Sequence, residues 1–163
     1  MARAATLIAS VGGIGYAPFA PGTVMSVVAL APALVMATHH GDFALFAAAV
    51  IAFIVGIYAC DGHLRATGRE DPSECVIDEL AGQWLACAFA LPTFGGLVPA
   101  PQEGLYFFLA AFVLFRLFDI WKPWPVGWAD RSIKGGLGVM ADDMLAGLMA
   151  GLCVLLLRMV LPL

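Results

Sequence analysis

Apolar residues of this sequence gather in five runs, which span residues 24–38, 43–59, 80–98, 105–118 and 144–161. A helix that crosses a bilayer needs about 20 apolar residues, so the longer runs predict membrane-spanning helices. The runs at 24–38 and 105–118 are shorter, which leaves shallow, tilted or re-entrant helices open there. The pattern predicts an all-α protein, a small integral membrane bundle of about four to five membrane helices.

Composition favours the same class of protein. Hydrophobic residues make up 62% of the 163 residues, charged residues make up 12%, and the mean hydropathy is +0.93. Soluble domains carry about 25% charged residues. The length predicts one domain over residues 1–163. Pro32 and Pro92 lie inside apolar runs and predict kinks, because proline removes a backbone donor.

Charged side chains are confined almost entirely to two segments. The chain has 8 basic and 12 acidic residues, and eight charges lie in residues 61–79 and eight in residues 116–143. If all five apolar runs cross the membrane, both segments lie on one side with the N-terminal stretch. The opposite loops contain no Lys or Arg, so the charged side is predicted to face the cytoplasm. The charges elsewhere are Arg3, Asp42, Glu103 and Arg158.

The first polar segment is "GGIGYAPFAPGTVMS", residues 12–26. Its glycines and prolines predict a tight loop, with Thr23 as the N-cap of the first apolar helix, where free N–H groups suit an anion. It is not a dinucleotide fingerprint, because Pro18 follows Gly13-x-Gly15, and it has no P-loop lysine.

The second polar segment is "CDGHLRATGREDPSECVIDELAGQW". Asp78 and Glu79 lie at the start of the third apolar run, at or inside the apolar boundary, where ionised groups are costly and tend to be functional. Asp61 closes the second run. The remaining acids of the segment are interpreted as a solvated cap: Glu70, Asp71 and Glu74.

The third polar segment is "FRLFDIWKPWPVGWADRSIKGGLGVMADDMLAG". Arg116, Asp119 and Lys122 are spaced by three, which brings them onto one helical face. Two prolines then end that helix, and three tryptophans suit the membrane–water interface. Lys134 precedes "GGLG", which predicts a flexible loop. The pair Asp142–Asp143 is predicted to open the last apolar helix.

The strings "IDELAG" and "ADDMLAG" therefore place a pair of carboxylates at the start of a helix twice. Adjacent like charges disfavour joint ionisation unless a cation lies between them. Mg²⁺ takes oxygen ligands, often one or two carboxylates and substrate phosphates. With lysines that can reach phosphate, the pattern favours phosphoryl transfer. Histidines and cysteines lack zinc-ligand spacing.

The three polar segments are similar to those of the phosphatidylglycerophosphatase A family. The resemblance rests on "APFAPGTVMS", "DPSECVIDELAGQW" and the whole third segment, and it covers most of the chain. Met25 stands before Ser26, where family members usually have glycine. The resemblance implies an enzyme of the bacterial cytoplasmic membrane that needs Mg²⁺ and removes the terminal phosphate of phosphatidylglycerol phosphate. It implies a membrane phospholipid as the partner and no nucleic acid.

Carried onto this sequence, the resemblance gives ten site residues. Four acids are expected to be catalytic and to hold Mg²⁺: Asp78, Glu79, Asp142 and Asp143. Asp61 is a fifth expected metal ligand. Phosphate and substrate contacts are expected from Lys122, Lys134, Thr23, Ser26 and Asp119. Direct attack by water is preferred over an aspartyl-phosphate intermediate, which stays open, as does the oligomeric state.

Two other classes of function remain as alternatives. "DGHLR" resembles the start of the CDP-alcohol phosphotransferase motif, but Tyr58 stands where its preceding aspartate belongs and the downstream aspartate pair is missing. A small transporter would explain acids beside membrane helices, yet it predicts polar residues deep within them rather than gathered at one end. A structural membrane subunit would leave the doubled acid pairs without a role.

Overall fold

A computed structural model of the protein describes residues 2–70, 72–90 and 101–161, without the side chains of residues 101–104. These residues form α-helices and a short 3₁₀ turn, Ile14–Tyr16, and the described part contains no strand, so the all-α prediction is confirmed. The helices are α1 (Ala2–Ala9), α2 (Pro21–Thr67), α3 (Ile77–Ala88), α4 (Pro101–Trp121), α5 (Val126–Ser132) and α6 (Gly135–Val160).

The 47-residue α2 is a helical hairpin. A straight helix of that length would measure about 70 Å, more than twice the hydrocarbon core of a bilayer. Gly41 leaves the helical region with φ 83° and ψ 172°, a conformation that glycine adopts at little cost. Gly22 and Asp61, near the two ends of α2, line the same cavity, so the arms run antiparallel. The first two apolar runs are thus the arms of one hairpin.

The predicted kink at Pro32 is not the break in α2. Pro32 lies within the outgoing arm, and the residue with non-helical backbone angles is Gly41. Pro92 and the end of the predicted run at 80–98 lie outside the described residues.

Within the described chain, α2 and α6 are long and apolar enough to cross a membrane. Both expose large apolar side chains, among them Ile51 and Leu156, which suits contact with lipid. These features indicate membrane association. The count of four to five membrane helices stays a prediction.

Small residues let α3 pack closely against α6. A Cβ on Gly82 would meet the Asp143 carbonyl oxygen and the Phe115 ring, both at 2.6 Å. Alanines fill much of the surrounding core, including Ala86, Ala146 and Ala150. Both helices begin at the same cavity, so they run side by side in the same direction.

The start of α6 differs from the sequence prediction. The "GGLG" segment forms the first turn of α6 instead of a flexible loop, and Asp142–Asp143 lies about two turns inside the helix. Gly136 packs against the backbone of the returning arm of α2, where its Cβ would lie 2.7 Å from the Asp61 amide nitrogen. The glycines therefore serve close helix packing at this position.

The other end of α6 carries Arg158 in its last turn. Its Nη1 donates to the Ala90 carbonyl at 2.6 Å, and its guanidinium lies 5.1 Å from the Phe107 ring centroid. Arg158 therefore connects α6 to the residues after α3 and to α4.

Candidate active site

A cavity of about 930 Å³ opens where α2 begins and ends and where α3 and α6 begin. Nine of the ten predicted site residues line it: Thr23, Asp61, Asp78, Glu79, Asp119, Lys122, Lys134, Asp142 and Asp143. Ser26 is buried outside the lining, and its hydroxyl donates to the Gly22 carbonyl at 2.9 Å. The structure thus brings together residues from all three polar segments.

Three carboxylates meet in the cavity. Asp78, Glu79 and Asp143 each offer an oxygen within 4.8 Å of the others, and we call them the three-acid group. Glu79 Oε2 and Asp143 Oδ2 are buried without a hydrogen-bond partner. Crowded buried carboxylates repel one another unless a cation or protons intervene. Because Mg²⁺ prefers oxygen ligands, the donor set and its unpartnered oxygens fit this ion.

Glycines allow the backbones to approach the three-acid group. A side chain on Gly22, in the first turn of α2, would collide with the Glu79 carboxylate. Gly82 lies one turn after Asp78 and packs against the backbone of Asp143. The group therefore depends on close contacts that only glycine permits.

Lys122 lies between α4 and α5 and links two acids. Its Nζ donates to Asp142 Oδ2 at 2.8 Å and to Asp130 Oδ1. Burial lowers the pKa of Lys122, but the hydrogen bonds and the charges of Asp130 and Asp142 outweigh it and raise that pKa above its ordinary value. Lys122 is therefore a permanent cation at neutral pH. Asp142 lies beside the three-acid group, not within it.

Arg116 and Asp119 form an ion pair on α4. Arg116 Nη1 lies 2.5 Å from Asp119 Oδ2, without the alignment of a hydrogen bond, and Arg116 Nε has no hydrogen-bond partner. Both residues line the cavity. The buried guanidinium therefore retains donors for an anion.

Two cavity residues were missed as site residues by the sequence reasoning. Arg116 was noticed only for its spacing from Asp119 and Lys122, which placed it on the correct face. Asp130 gave no signal, because it lies on the separate helix α5 and reaches Lys122 only through the fold.

Asp61 makes a local hydrogen bond, and Thr23 lies at a different helix position from the one predicted. Asp61 Oδ1 accepts the Gly136 amide N–H at 2.5 Å, which satisfies a free donor at the start of α6, and Asp61 is not in the three-acid group. Thr23 is not an N-cap: α2 begins at Pro21 after Ala20. Proline suits the first helical position because it lacks an amide hydrogen, so Thr23 falls within the first turn.

The sequence predicted a solvated cap of acids that includes Glu70 and Glu74. Glu70 is exposed, but Glu74 is not. Glu74 is only 8% exposed. It lies 3.3 Å from His63 Nε2 and forms an ion pair with Arg69. His63 Nδ1 lies 2.9 Å from the Thr6 hydroxyl. These contacts fix the loop before Asp78 to α1 and α2. Asp71 lies outside the described residues.

The four cysteines are free, and Cys60, Cys75 and Cys87 are buried.

Comparison with known proteins identifies relatives over nearly the whole chain. The family model described as Phosphatidylglycerophosphatase A matches residues 7–158. Phosphatidylglycerophosphatase A of Escherichia coli K12 is 32% identical over 138 residues, which cover 85% of this chain and 74% of the relative. The Haemophilus influenzae protein of the same name is 30% identical over 142 residues, 87% and 81% of the two chains.

A third relative carries a different name. A Bacteroides thetaiotaomicron protein named "Putative phosphatidylinositol-3-phosphatase" is 34% identical over 159 residues, 95% of this chain and 94% of its own. No solved structure matches. The family match spans all three polar segments and every residue of the three-acid group. The chain belongs to the phosphatidylglycerophosphatase A family.

Proposed function

We propose that the protein is an Mg²⁺-dependent lipid phosphatase that hydrolyses phosphatidylglycerol phosphate to phosphatidylglycerol and inorganic phosphate. The observation that carries the proposal is the three-acid group, with its unpartnered buried oxygens, in a cavity that also contains Lys122 and Arg116. The names of the Escherichia coli and Haemophilus influenzae relatives support the choice of substrate.

Asp78, Glu79 and Asp143 would hold the ion. When bound, Mg²⁺ supplies positive charge against the phosphate oxygens. Lys122 and Arg116 bring further cations to the same cavity, where they would stabilise the negative charge of the transferred phosphoryl group. Arg116 can use the donors that no protein acceptor occupies.

We further propose direct hydrolysis by water. The water oxygen forms a bond to phosphorus, the bond from phosphorus to the glycerol oxygen breaks, and that oxygen takes up a proton to become the hydroxyl of phosphatidylglycerol. Asp142 would orient the water and accept its proton, since Lys122 fixes one of its oxygens at 2.8 Å. A base must lie within hydrogen-bond reach of the proton it removes, and Asp142 adjoins the three-acid group.

The cavity would face the cytoplasm at the inner membrane boundary. Both charged segments contribute to it, and the positive-inside tendency favours the cytoplasmic side. Trp121, Trp124 and Trp128 are at least half exposed near Lys122, as suits an interfacial aromatic belt. A lipid phosphate could then reach the acids while its acyl chains stay in the bilayer.

Phosphate release by the purified protein in detergent with Mg²⁺ tests the substrate. The panel contains phosphatidylglycerol phosphate, phosphatidylinositol 3-phosphate, and CDP-diacylglycerol with glycerol phosphate. We expect release from the first lipid, with phosphatidylglycerol as the lipid product. Preferential release from phosphatidylinositol 3-phosphate would show that this lipid is the substrate instead. Formation of CMP would indicate a phosphotransferase. If none of these lipids is turned over, the proposal of an enzyme would be contradicted and a transporter would be favoured.

A further inference from the structure

Lys134 differs from the other basic residues of the cavity. Among the described residues it has no ion-pair partner, and it is exposed on the cavity wall. Each of the other four basic residues has an acid beside it: Arg65 pairs with Asp61, Arg69 with Glu74, Arg116 with Asp119, and Lys122 with both Asp130 and Asp142. Among the basic residues that line the cavity, Lys134 is thus the one without an acidic partner in the described part of the chain.

Lys134 also lies away from the three-acid group. It is the N-cap of α6, nine positions before Asp143 on the same helix, which corresponds to an axial separation of about 13 Å. Lys122, by contrast, contacts Asp142 directly. Lys122 therefore lies beside the acids, whereas Lys134 lies farther from them along α6.

We propose that Lys134 binds the second phosphate of the lipid, the phosphodiester that joins the headgroup to diacylglycerol. This rests on the proposed function, in which Lys122 and the three-acid group act on the terminal phosphate. The two phosphates of that substrate are separated by a three-carbon glycerol unit. A lysine is a compact charge with three donors on a flexible four-carbon stem, which can reach from the start of α6 toward the cavity interior.

This assignment makes Lys134 a determinant of substrate class. A lipid with a terminal monoester and an inner diester engages both cationic positions, whereas phosphatidate has only the monoester. Lys134 should therefore contribute to affinity for the first lipid and not for the second. Because the diester does not react, its contact should act on binding rather than on the chemical step.

The test compares Lys134→Gln with Arg131→Gln, a matched control three positions earlier that is exposed and does not line the cavity. With phosphatidylglycerol phosphate, K134Q should raise KM about tenfold and leave kcat nearly unchanged. This is the effect expected from the loss of one charge-assisted hydrogen bond. The KM or inhibition constant of phosphatidate should not change. R131Q should match the wild type, and Lys134→Arg should restore most of the affinity.

A binding measurement separates failure of this inference from failure of the proposed reaction. Short-chain phosphatidylglycerol retains the phosphodiester and needs no turnover, so its affinity can be measured by phosphorus NMR in detergent. K134Q should weaken this binding about tenfold relative to R131Q. Equal binding by both variants would overturn the inference, even if phosphatidylglycerol phosphate is hydrolysed. So would an equal loss of kcat with both lipids, which would place Lys134 at the terminal phosphate.

Discussion

Gly147 of α6 lies directly against the backbone of Gly82 in α3: a Cβ on Gly147 would lie 2.9 Å from the Gly82 carbonyl carbon. Each glycine follows an acid of the three-acid group by four positions, Asp143 and Asp78 respectively, which is about one helical turn. The two helices are therefore in close contact about one turn from the carboxylates. This contact sets how far apart the acids can lie.

Gly147→Ala should separate α3 from α6 and disturb the three-acid group. Overpacking of this kind costs about 1–3 kcal/mol of stability, and a displacement of about 1 Å at a reactive site can reduce turnover on the order of a hundredfold. Phosphate release should fall by that order, with the folded protein retained in a thermal unfolding assay. Leu148→Ala, at an exposed neighbouring position, is the control. Equal activity of the two variants would refute the role of the contact.

Mg²⁺ should stabilise the folded protein through the three-acid group. A ligand at a hundred times its Kd adds about 2.7 kcal/mol to the free energy of unfolding, so the Tm of the wild type should rise with Mg²⁺. Asp143→Asn removes one of the crowded charges, and we expect it to raise Tm without Mg²⁺ and to abolish the further rise. Asp42→Asn, near the turn of the α2 hairpin, should respond like the wild type. An intact Mg²⁺ response in D143N would exclude Asp143 as a ligand.

The contacts of Glu74 should stabilise the protein in a pH-dependent way. Burial raises the pKa of Glu74, but its backbone hydrogen bond, Arg69 and His63 together lower it below the ordinary value. A lowered pKa in the folded state gives stability that is present above the unfolded pKa and lost as the pH falls through the folded pKa. Glu74→Gln should therefore cost about 1–3 kcal/mol at pH 7, and its difference from the wild type should shrink below about pH 4.

The matched control for this prediction is Glu70→Gln. Because Glu70 is exposed, this substitution should change the free energy of unfolding little. Urea unfolding at several pH values measures both variants. A cost of E74Q that stays constant from pH 7 to acid would show that the carboxylate charge contributes nothing.

The sequence predicted the helical class and the convergence of the polar segments well. Charge clustering identified Asp78, Glu79 and Asp143, because ionised groups at an apolar boundary are costly and stand out. It could not separate Asp142 from the group, because the pairs Asp78–Glu79 and Asp142–Asp143 look alike in the sequence, yet only the first pair contributes both members. That separation depends on the position of Lys122, which tertiary contacts decide.

Local features were predicted less well where packing overrides intrinsic preference. The glycines after Lys134 suggested a loop, yet they form the first turn of α6, where Gly136 packs on the returning arm of α2. Glu74 was expected in solvent, and its burial depends on His63, eleven residues earlier in the chain. The reversal at Gly41, by contrast, lies in the gap between the first two predicted apolar runs, residues 24–38 and 43–59.

The most direct test of the central claim is phosphate release from phosphatidylglycerol phosphate as a function of Mg²⁺, measured for the wild type and for Asp143→Asn. If the three-acid group holds the ion that assists the reaction, the wild type should lose activity on chelation and regain it with Mg²⁺. D143N should be slower by on the order of a thousandfold at every Mg²⁺ concentration, equivalent to about 4 kcal/mol. A chelated wild type that keeps its rate, or a folded D143N with wild-type turnover, would contradict the account.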